Sequence, residues 1–458
     1  MENFFKLKEN GTTVRSEITG GITTFLAMAY IIAVNAIILS EAGMPKAAVI
    51  TATCLTAGIS TILMGVIANL PLALASGMGL NAFFAYTVCI GMNIPWEVAL
   101  TAVFIEGIIF IILSLTKVRE AVANCIPTTL KLAVTAGIGL FIAFIGFVNA
   151  GMVITDPATK VKMGNFTDPT VVITLIGILV IVVFYKKNVK GAILIGMVTS
   201  TVLAWIYAAI SPETAASYMI FRPTGNPFGY TSIGEIAGKI QWDYLFTPSK
   251  LLTIMGIVIT FLFVDFFDTL GTLLGVATKA NLFDKEGKVK NGSKALLVDS
   301  IGTTMGAVLG TSTVTTYVES SAGVAEGART GLASVVTGIL FLVAMFLSPL
   351  FMAIPSCATA PALIIVGFFM IGNVVKINFD DFTEGVPAFL TIALMPLTYS
   401  IGDGLSIGIL SYGVINFISN LLEKDESNKK KVSPIIYILA ILFIIKLVYS
   451  GLKAKGII

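Results

Sequence analysis

The chain has 458 residues, of which 56% are hydrophobic and only 12% are charged. Soluble globular proteins carry charge on about a quarter of their residues, so this composition indicates a polytopic membrane protein. The net charge is only +3, with no basic block, which excludes the electrostatic pattern of a nucleic-acid-binding protein. The sequence contains no histidine, so carboxylates are the obvious groups for proton coupling.

Apolar runs of about 20 residues, the length that crosses the hydrocarbon core of a bilayer, predict fourteen membrane segments. Residues 1–17 precede them and lack the apolar core and cleavage site of a signal peptide. The segments cover residues 18–40, 47–69, 72–91, 97–115, 128–149, 169–186, 191–210, 250–277, 295–310, 311–327, 331–353, 357–375, 385–400 and 403–422.

Lysine and arginine in the short loops predict the orientation. The loops that contain TKVRE, FYKKNVKG, TKANLFDKEGKVKNGSK and LLEKDESNKKK fall on the same side as the N-terminus. We therefore expect a cytoplasmic N-terminus, in the plasma membrane, and a long external loop at 211–249. In the last region, 423–458, Lys446 interrupts an apolar stretch that is either a fifteenth span or an interfacial helix.

The two halves of the chain resemble each other weakly. ITTFLAMAYIIAVN aligns with VITFLFVDFFDTLG, and NVKGAILIGMVTSTVLAWIY aligns with SIGDGLSIGILSYGVINFIS. Because each half has seven segments, an odd number, the second half must enter the membrane from the opposite side. This pattern predicts the inverted repeats of secondary transporters; chance similarity between apolar helices is the alternative.

Segments 3 and 10 are short and rich in Gly, Ser and Thr. Gly77 and Gly79 permit unusual backbone angles, and the β-branched run 313–316 favours a strand before a half-helix that begins near Glu319. Broken helices at membrane depth line a cavity, so these segments predict a binding site near the middle of the membrane. Close packing through small residues is the alternative.

Several acidic residues lie inside apolar segments, where a carboxylate indicates a substrate or ion pathway. Asp265 and Asp268 share a helical face, so one of them is expected to bind a proton; a hydrogen bond to backbone is the alternative for either. Glu319 can accept N–H groups from the edge of a planar base. Glu106 and Asp299 are interpreted as structural or gating groups, with a part in the proton route as the alternative.

Uncharged side chains complete the predicted site. Asn81 offers both a donor and an acceptor to a base. Six phenylalanines supply flat surfaces on which a base can stack, although packing against lipid is the alternative for each of them. They are Phe83, Phe84, Phe261, Phe263, Phe266 and Phe267. The cysteines are interpreted as small core residues: Cys54, Cys89, Cys125 and Cys357.

VDFFDTLGTLLGVA, TSTVTTYVESSAGVAEGARTGLASVVTG and ASGMGLNAFFAY resemble the signature stretches of the AzgA-like purine permeases, within the nucleobase-cation symporter group that includes the bacterial uracil permease. The resemblance covers nearly the whole chain, although Ala36 stands where relatives often have proline. It implies proton-coupled uptake of purines, guanine or hypoxanthine above all and adenine as a further substrate, without a cofactor. It implies an elevator motion and leaves a homodimer open.

The resemblance also implies two domains and assigns roles to residues. The core domain comprises 18–115 and 250–353, and the gate domain comprises 116–210 and 354–422. The purine-binding role falls to Glu319, Asp265 and Asn81, with Asp268 as a helper. The full candidate substrate-binding set is Glu319, Asp265, Asn81, Asp268, Ser320, Gly79, Phe83 and Phe266, and proton coupling is assigned to Asp265, Asp268 and Glu319.

Other functions stay open at this point. An anion carrier of the same fold, for bicarbonate or sulfate, would require a cationic group where this sequence has acids. A carrier of uracil or xanthine, or a receptor or channel without coupled turnover, is a further alternative. The sequence contains no Walker A loop and no histidine-dependent triad, which argues against an enzyme or an ATP-driven pump.

Overall fold

The protein was analysed as a computed structural model, which describes residues 2–116, 127–223, 225–283, 289–425 and 429–454. Cys125 lies outside the described residues, as do parts of the lysine-containing loops at 117–126, 284–288 and 426–428. Cys54, Cys89 and Cys357 are buried, which confirms their interpretation as core residues.

The described part of the chain is mostly helical. The helices are α1 (Glu2–Phe5), α2 (Val14–Met28), α3 (Ile31–Glu41), α4 (Lys46–Leu63), α5 (Met78–Ala82), α6 (Trp96–Leu115), α7 (Thr128–Ala150), α8 (Pro169–Lys186), α9 (Ala192–Ile210), α10 (Pro212–Ser217), α11 (Pro248–Ala280), α12 (Gly292–Leu309), α13 (Ser320–Ala325), α14 (Gly331–Ala344), α15 (Ser348–Met352), α16 (Ser356–Ile371), α17 (Phe382–Leu397), α18 (Ile401–Leu422) and α19 (Pro434–Ala454). Met64–Ala68 and Phe83–Gly91 continue α4 and α5 as π-helix, and Gly372–Lys376 extends α16 as a 3₁₀ turn.

Four short strands form two antiparallel pairs. They are β1 (Leu74–Ser76), β2 (Val153–Asp156), β3 (Lys160–Met163) and β4 (Val314–Thr316). β2 and β3 form a hairpin in a loop for which the sequence analysis predicted no structure. An ion pair of 2.9 Å between Lys162 Nζ and Asp156 Oδ2 joins the two strands of the hairpin. That hydrogen bond lowers the pKa of the Asp156 carboxyl to about 2.

The membrane character of the fold is confirmed. Nine helices within the described ranges are long and apolar enough to cross a membrane by length and composition. The outer face of α8 is apolar and open, since Leu179, Val182 and Val183 are each about half exposed or more. Such a face is stable against lipid tails rather than water. The remaining predicted segments correspond to shorter or broken elements, among them Gly331–Ala344 and Phe382–Leu397.

The predicted breaks in segments 3 and 10 are confirmed. β1 pairs with β4, with Leu74 opposite Thr316 and Ser76 opposite Val314, and each strand leads into a short helix, α5 or α13. Backbone groups at membrane depth need partners inside the protein. In β1, the Thr61 hydroxyl accepts from the Leu74 N–H and donates to the Leu74 carbonyl. In β4, the Thr303 hydroxyl donates to the Val314 carbonyl at 2.8 Å.

The long helices pack in two groups. Around β1 and β4, α6 packs on α12, α14 packs on α4 and on α2, and α11 packs on α6. In the other group α16 packs on α7, α17 on α18 and α7, and α9 on α8 and α16. The last helix, α19, packs on α18 and is continuous through Lys446.

Candidate functional site

Glu319 stands at the N-terminal end of α13, on the broken segment that contains β4. Its side chain is partly exposed. The Tyr30 hydroxyl, from the junction of α2 and α3, donates to Glu319 Oε1 over 2.6 Å. Hydrogen bonds to an ionised acceptor are shorter and stronger than neutral ones. The carboxylate is therefore held in place while part of it stays accessible to a ligand.

Asn81 lies in α5, on the other broken segment, and is completely buried. The Ser312 hydroxyl donates to Asn81 Oδ1, whereas Asn81 Nδ2 has no hydrogen-bond partner within the part of the chain that the structure describes. A buried donor without a partner costs roughly 1–3 kcal/mol, and folded proteins retain few such groups. This amide would be satisfied by a ligand that presents an acceptor.

The strand pair holds these two segments together. The Tyr317 N–H donates to the Ala73 carbonyl at 2.9 Å, and the Gly77 N–H donates to the Thr313 carbonyl at 3.0 Å. Ser320 belongs to this scaffold as well, because its Oγ accepts from the Ala73 N–H at 3.0 Å. The predicted substrate contact Ser320 thus also anchors α13 to the opposing strand.

Asp265 is fully buried and faces a hydroxyl on its own helix. Thr269 Oγ1 lies 3.2 Å from Asp265 Oδ1, 3.1 Å from both carboxylate oxygens of Asp299 and 2.8 Å from Thr315 Oγ1. One threonine therefore joins α11, α12 and β4. Asp299, interpreted from the sequence as a structural or gating group, belongs to the same network as Asp265.

Asp268 has a different environment from Asp265, although both are on α11. Its side chain is partly exposed and makes no hydrogen bond within the described part of the chain. It interacts electrostatically with Asp299 and Glu319. Asp268 thus interacts with acids on α12 and at the start of α13, whereas Asp265 contacts the Thr269 hydroxyl.

Glu106 lies on α6 and is also fully buried. The Thr313 hydroxyl donates to Glu106 Oε2 at 2.7 Å. Because Thr313 directly precedes β4, this acid fixes the broken segment at the start of its strand. The sequence of α6 alone does not reveal this contact between Glu106 and Thr313.

The other predicted site residues are packed tightly. A Cβ on Gly79 would lie 2.7 Å from the Ile138 side chain of α7, so glycine is required where the two groups of helices touch. Phe83 packs edge-on against Phe261 with ring centroids 4.9 Å apart. Phe266 packs edge-on against Phe267 at 5.7 Å. Both predicted stacking rings lie in the protein interior, and neither faces lipid.

Two residues were missed by the sequence analysis. Asn35 Nδ2 donates to Thr53 Oγ1 at 2.7 Å and to Thr311 Oγ1 at 3.0 Å, which ties α3 to α4 and to the broken segment. An isolated asparagine within the apolar run IIAVNAII was the available signal. Tyr30 gave no signal, because its partner Glu319 is 289 positions away.

Cationic groups lie next to the site rather than at Glu319. Lys279 Nζ, in the last turn of α11, donates to Ser321 Oγ at 3.2 Å. Lys190 Nζ, in the loop before α9, lies 2.7 Å from Glu326 Oε1 at the end of α13. Among the described residues, no group of three His, Cys, Asp or Glu side chains is placed to hold a metal ion.

Several known proteins with similar sequences are permeases. The chain is 46% identical over 459 residues to the guanine/hypoxanthine permease PbuG of Bacillus subtilis, covering 98% of this chain and all of that protein. It is 41% identical over 451 residues to the adenine permease AdeP of Escherichia coli, covering 98% and 96%. A putative permease of Methanocaldococcus jannaschii is 44% identical over 449 residues, covering 98% of both chains.

Solved structures are similar in fold at low identity. The transmembrane domain of the cyanobacterial bicarbonate transporter BicA superposes with a TM-score of 0.62 at 16% identity, over 86% of this chain and 97% of that domain. The murine anion transporter Slc26a9 gives a TM-score of 0.62 at 11% identity, over 88% and 68%. Residues 15–406 match the Permease family, Xan_ur_permease. The chain therefore belongs to the Permease family and is a multi-pass membrane transporter rather than an enzyme.

Proposed function

We propose that this protein is a secondary active transporter that takes up purine nucleobases together with protons. The observation that carries the proposal is the pair of polar groups on the two broken segments. Glu319, a partly exposed residue, offers a carboxylate, and Asn81 offers a buried amide donor that has no partner among the described residues. Guanine or hypoxanthine is the preferred substrate under this proposal, and adenine is a further one.

The two groups suit the edge of a purine. A carboxylate accepts from ring N–H or exocyclic amino groups, and an amide N–H donates to a ring nitrogen or carbonyl. The printed names of the relatives, adenine permease and guanine/hypoxanthine permease, support the same substrate class. Asp265, Ser320, Gly79, Phe83 and Phe266 would shape and stabilise this site.

Proton coupling is proposed for Asp268, Asp265 and Glu319. Nearby carboxylates with few opposite charges cannot all stay ionised without cost. Asp268 is the best placed of the three to exchange a proton, since it is partly exposed and interacts with both Asp299 and Glu319.

The packing supports two inverted repeats of seven segments. If segments are counted from α2–α3 to α18, the contact of α6 with α12 joins segments 4 and 9, and that of α14 with α4 joins segments 11 and 2. Likewise α17 on α18 matches α8 on α9. Replacing each segment of a contact by the segment of the same rank in the other half gives the second contact of the pair. A two-fold relation between the halves requires this correspondence.

The proposed transport motion is an elevator movement of the core domain, 18–115 and 250–353, against the gate domain, 116–210 and 354–422. The site lies on the core side of the contact between Gly79 and Ile138. The loop charges support a cytoplasmic N-terminus, and the plasma membrane is the proposed location.

An anion carrier is the alternative that the fold allows, because BicA is a bicarbonate transporter. A similarity of 16% identity informs the fold alone, whereas the permeases named for purines are 41% and 46% identical. An anion would also meet the Glu319 carboxylate at close range, where like charges repel. Purine transport is therefore the better-supported proposal.

Uptake of labelled hypoxanthine, guanine, adenine and uracil into cells deficient in purine uptake tests the proposal. We expect accumulation of purines that a protonophore abolishes and that sodium does not affect. Glu213→Gln, on the exposed surface of α10, is the control and should transport like the wild type. Absence of purine uptake despite verified membrane insertion would reject the substrate class, and a strict sodium requirement would reject proton coupling.

A further inference from the structure

Two buried tyrosines lie beside Glu319 and use their hydroxyl groups differently. Tyr30 is 0% exposed, and its hydroxyl donates to Glu319 Oε1 at 2.6 Å. Tyr317 is two residues before Glu319, but its hydroxyl donates to the backbone carbonyl of Ser76. Within the described residues, Tyr30 is thus the side chain that holds the carboxylate, while Tyr317 holds the strand pair.

We infer that Tyr30 is a positioning residue for substrate recognition, which favours the ionised form of Glu319 and orients its carboxylate as an acceptor. The inference rests on the proposed function, since it assigns Tyr30 a task at the proposed purine site. Neither the sequence patterns nor the names of the relatives point to this residue.

The physical argument begins with the freedom of a glutamate side chain. A partly exposed glutamate with no partner samples several rotamers, and fixing one on binding costs free energy. The hydrogen bond from Tyr30 fixes the rotamer beforehand. Because Tyr30 occupies Oε1 from the buried side, the exposed part of the carboxylate stays available to N–H groups of a base.

The same bond affects the charge of the carboxylate. A donor aimed at a carboxylate favours its ionised form, and an ionised carboxylate accepts from a purine N–H where a protonated one presents a hydrogen. The other groups that face Glu319 are acids or phenols: Asp268 from α11 and Tyr317 from its own segment interact with it electrostatically. The nearby Lys279 donates to Ser321. The neighbouring acids and phenols therefore favour protonation of Glu319, and the hydrogen bond from Tyr30 acts against them.

The test is Tyr30→Phe, which removes one oxygen atom and keeps the ring. We expect the KM for hypoxanthine uptake to rise roughly 5- to 30-fold, the effect of losing about 1–2 kcal/mol. We also expect the acid limb of the pH profile of KM to move upward by about one pH unit, because Glu319 then takes up a proton more readily. A residue that only fills space would not shift the pH profile.

Tyr412→Phe is the matched control. Tyr412 also donates its hydroxyl to a glutamate, Glu384 Oε1 at 3.1 Å, but between α17 and α18, in the other group of helices. This variant loses the same atom from another tyrosine–glutamate pair, one in which Lys430 also contacts the glutamate, and should keep the wild-type KM and pH profile. If Tyr30→Phe inserts poorly, 3-fluorotyrosine at position 30 keeps the hydroxyl and strengthens it as a donor, so the acid limb should then move downward.

The outcomes separate this inference from the proposed function. A wild-type protein that transports no purine rejects both. A wild-type protein that transports purines, with Tyr30→Phe unchanged in KM and pH profile, rejects only the role of Tyr30. A lower KM in Tyr30→Phe also contradicts the inference, because Tyr30 would then compete with the substrate for Glu319.

Discussion

Two acidic clusters in this protein are held in opposite ways. The inner acid cluster surrounds the broken segments and consists of Glu106, Asp265, Asp268, Asp299 and Glu319. Threonine and tyrosine hydroxyl groups lie within hydrogen-bonding distance of four of these carboxylates, and Asp265 and Asp299 share the single hydroxyl hydrogen of Thr269. The fifth, Asp268, has no hydrogen bond within the described part of the chain.

The second cluster, the Lys430 cluster, lies at the start of α17 and consists of Asp381, Glu384 and Lys430. Lys430 Nζ lies 2.6 Å from Asp381 Oδ2 and 3.1 Å from Glu384 Oε1. The hydrogen bond from Lys430 holds the pKa of Asp381 below its usual range. Lys430 follows α18 in the chain, so the cluster fastens the segment after α18 to the beginning of α17.

The difference shows how the type of partner decides what an acid can do. A lysine partner keeps a carboxylate ionised and joins two parts of the structure. A hydroxyl partner orients a carboxylate without neutralising it, so that the group can still exchange a proton or accept from a ligand. The inner acid cluster has the chemistry that the proposed transport needs. The Lys430 cluster instead forms a structural ion-pair network that holds two segments together.

The largest expected effect concerns movement between the two groups of helices. Lys190→Cys and Glu326→Cys replace an ion pair that spans the groups, in a background without the four native cysteines. Joining them with a short bismaleimide should stop purine uptake completely and preserve purine binding, because an elevator motion requires these positions to separate.

The control joins Asp381→Cys to Lys430→Cys, a pair that links the proposed gate domain to the segment that follows it in the chain, and should leave uptake intact. Full uptake by a Lys190–Glu326 protein whose cross-linking is verified as complete would rule out the moving core. It would indicate local gating around a fixed site instead.

A smaller effect is expected for recognition. Glu319→Gln keeps the shape of the side chain but can turn an N–H₂ group toward the N–H groups of the base, so purine binding should weaken by roughly 1 to 3 kcal/mol. Glu384→Gln makes the same change in the Lys430 cluster and should leave binding unchanged. Calorimetry on purified protein measures both, and equal affinity of wild type and Glu319→Gln would remove Glu319 from the site.

The smallest effect concerns stability and its pH dependence. Lys430→Gln should lower the free energy of unfolding by about 1 kcal/mol or less, the usual range for partly exposed ion pairs. Since the pKa of Asp381 is lowered by folding, this stabilisation is present above the unfolded pKa and is lost as the pH falls through the folded one. The difference in Tm between wild type and Lys430→Gln should therefore stay constant from about pH 5 to 8. A difference that changes between pH 6 and 8 would contradict the ion-pair account.

The sequence predicted features that depend on a few neighbouring residues. The predicted span 169–186 coincides with α8, because an apolar run has one stable conformation in a membrane and the helix satisfies all its backbone groups. The run of β-branched residues from Thr313 to Thr316 predicted β4 for a similar local reason. The acids of segments 8 and 10 predicted a substrate or ion pathway because charged residues are rare in membrane segments.

By itself, the sequence determined that this chain is a polytopic membrane protein with two broken segments and a small set of buried acids. Only the tertiary structure decided how those acids are partnered: Tyr30 with Glu319, Thr269 with both Asp265 and Asp299, and Thr313 with Glu106. The reason is that a membrane helix is apolar on every side, so its sequence does not reveal which face meets which neighbour. The rotation of each helix about its own axis is fixed by the close packing of small residues and by hydrogen bonds between distant segments. Both exist only in the folded chain.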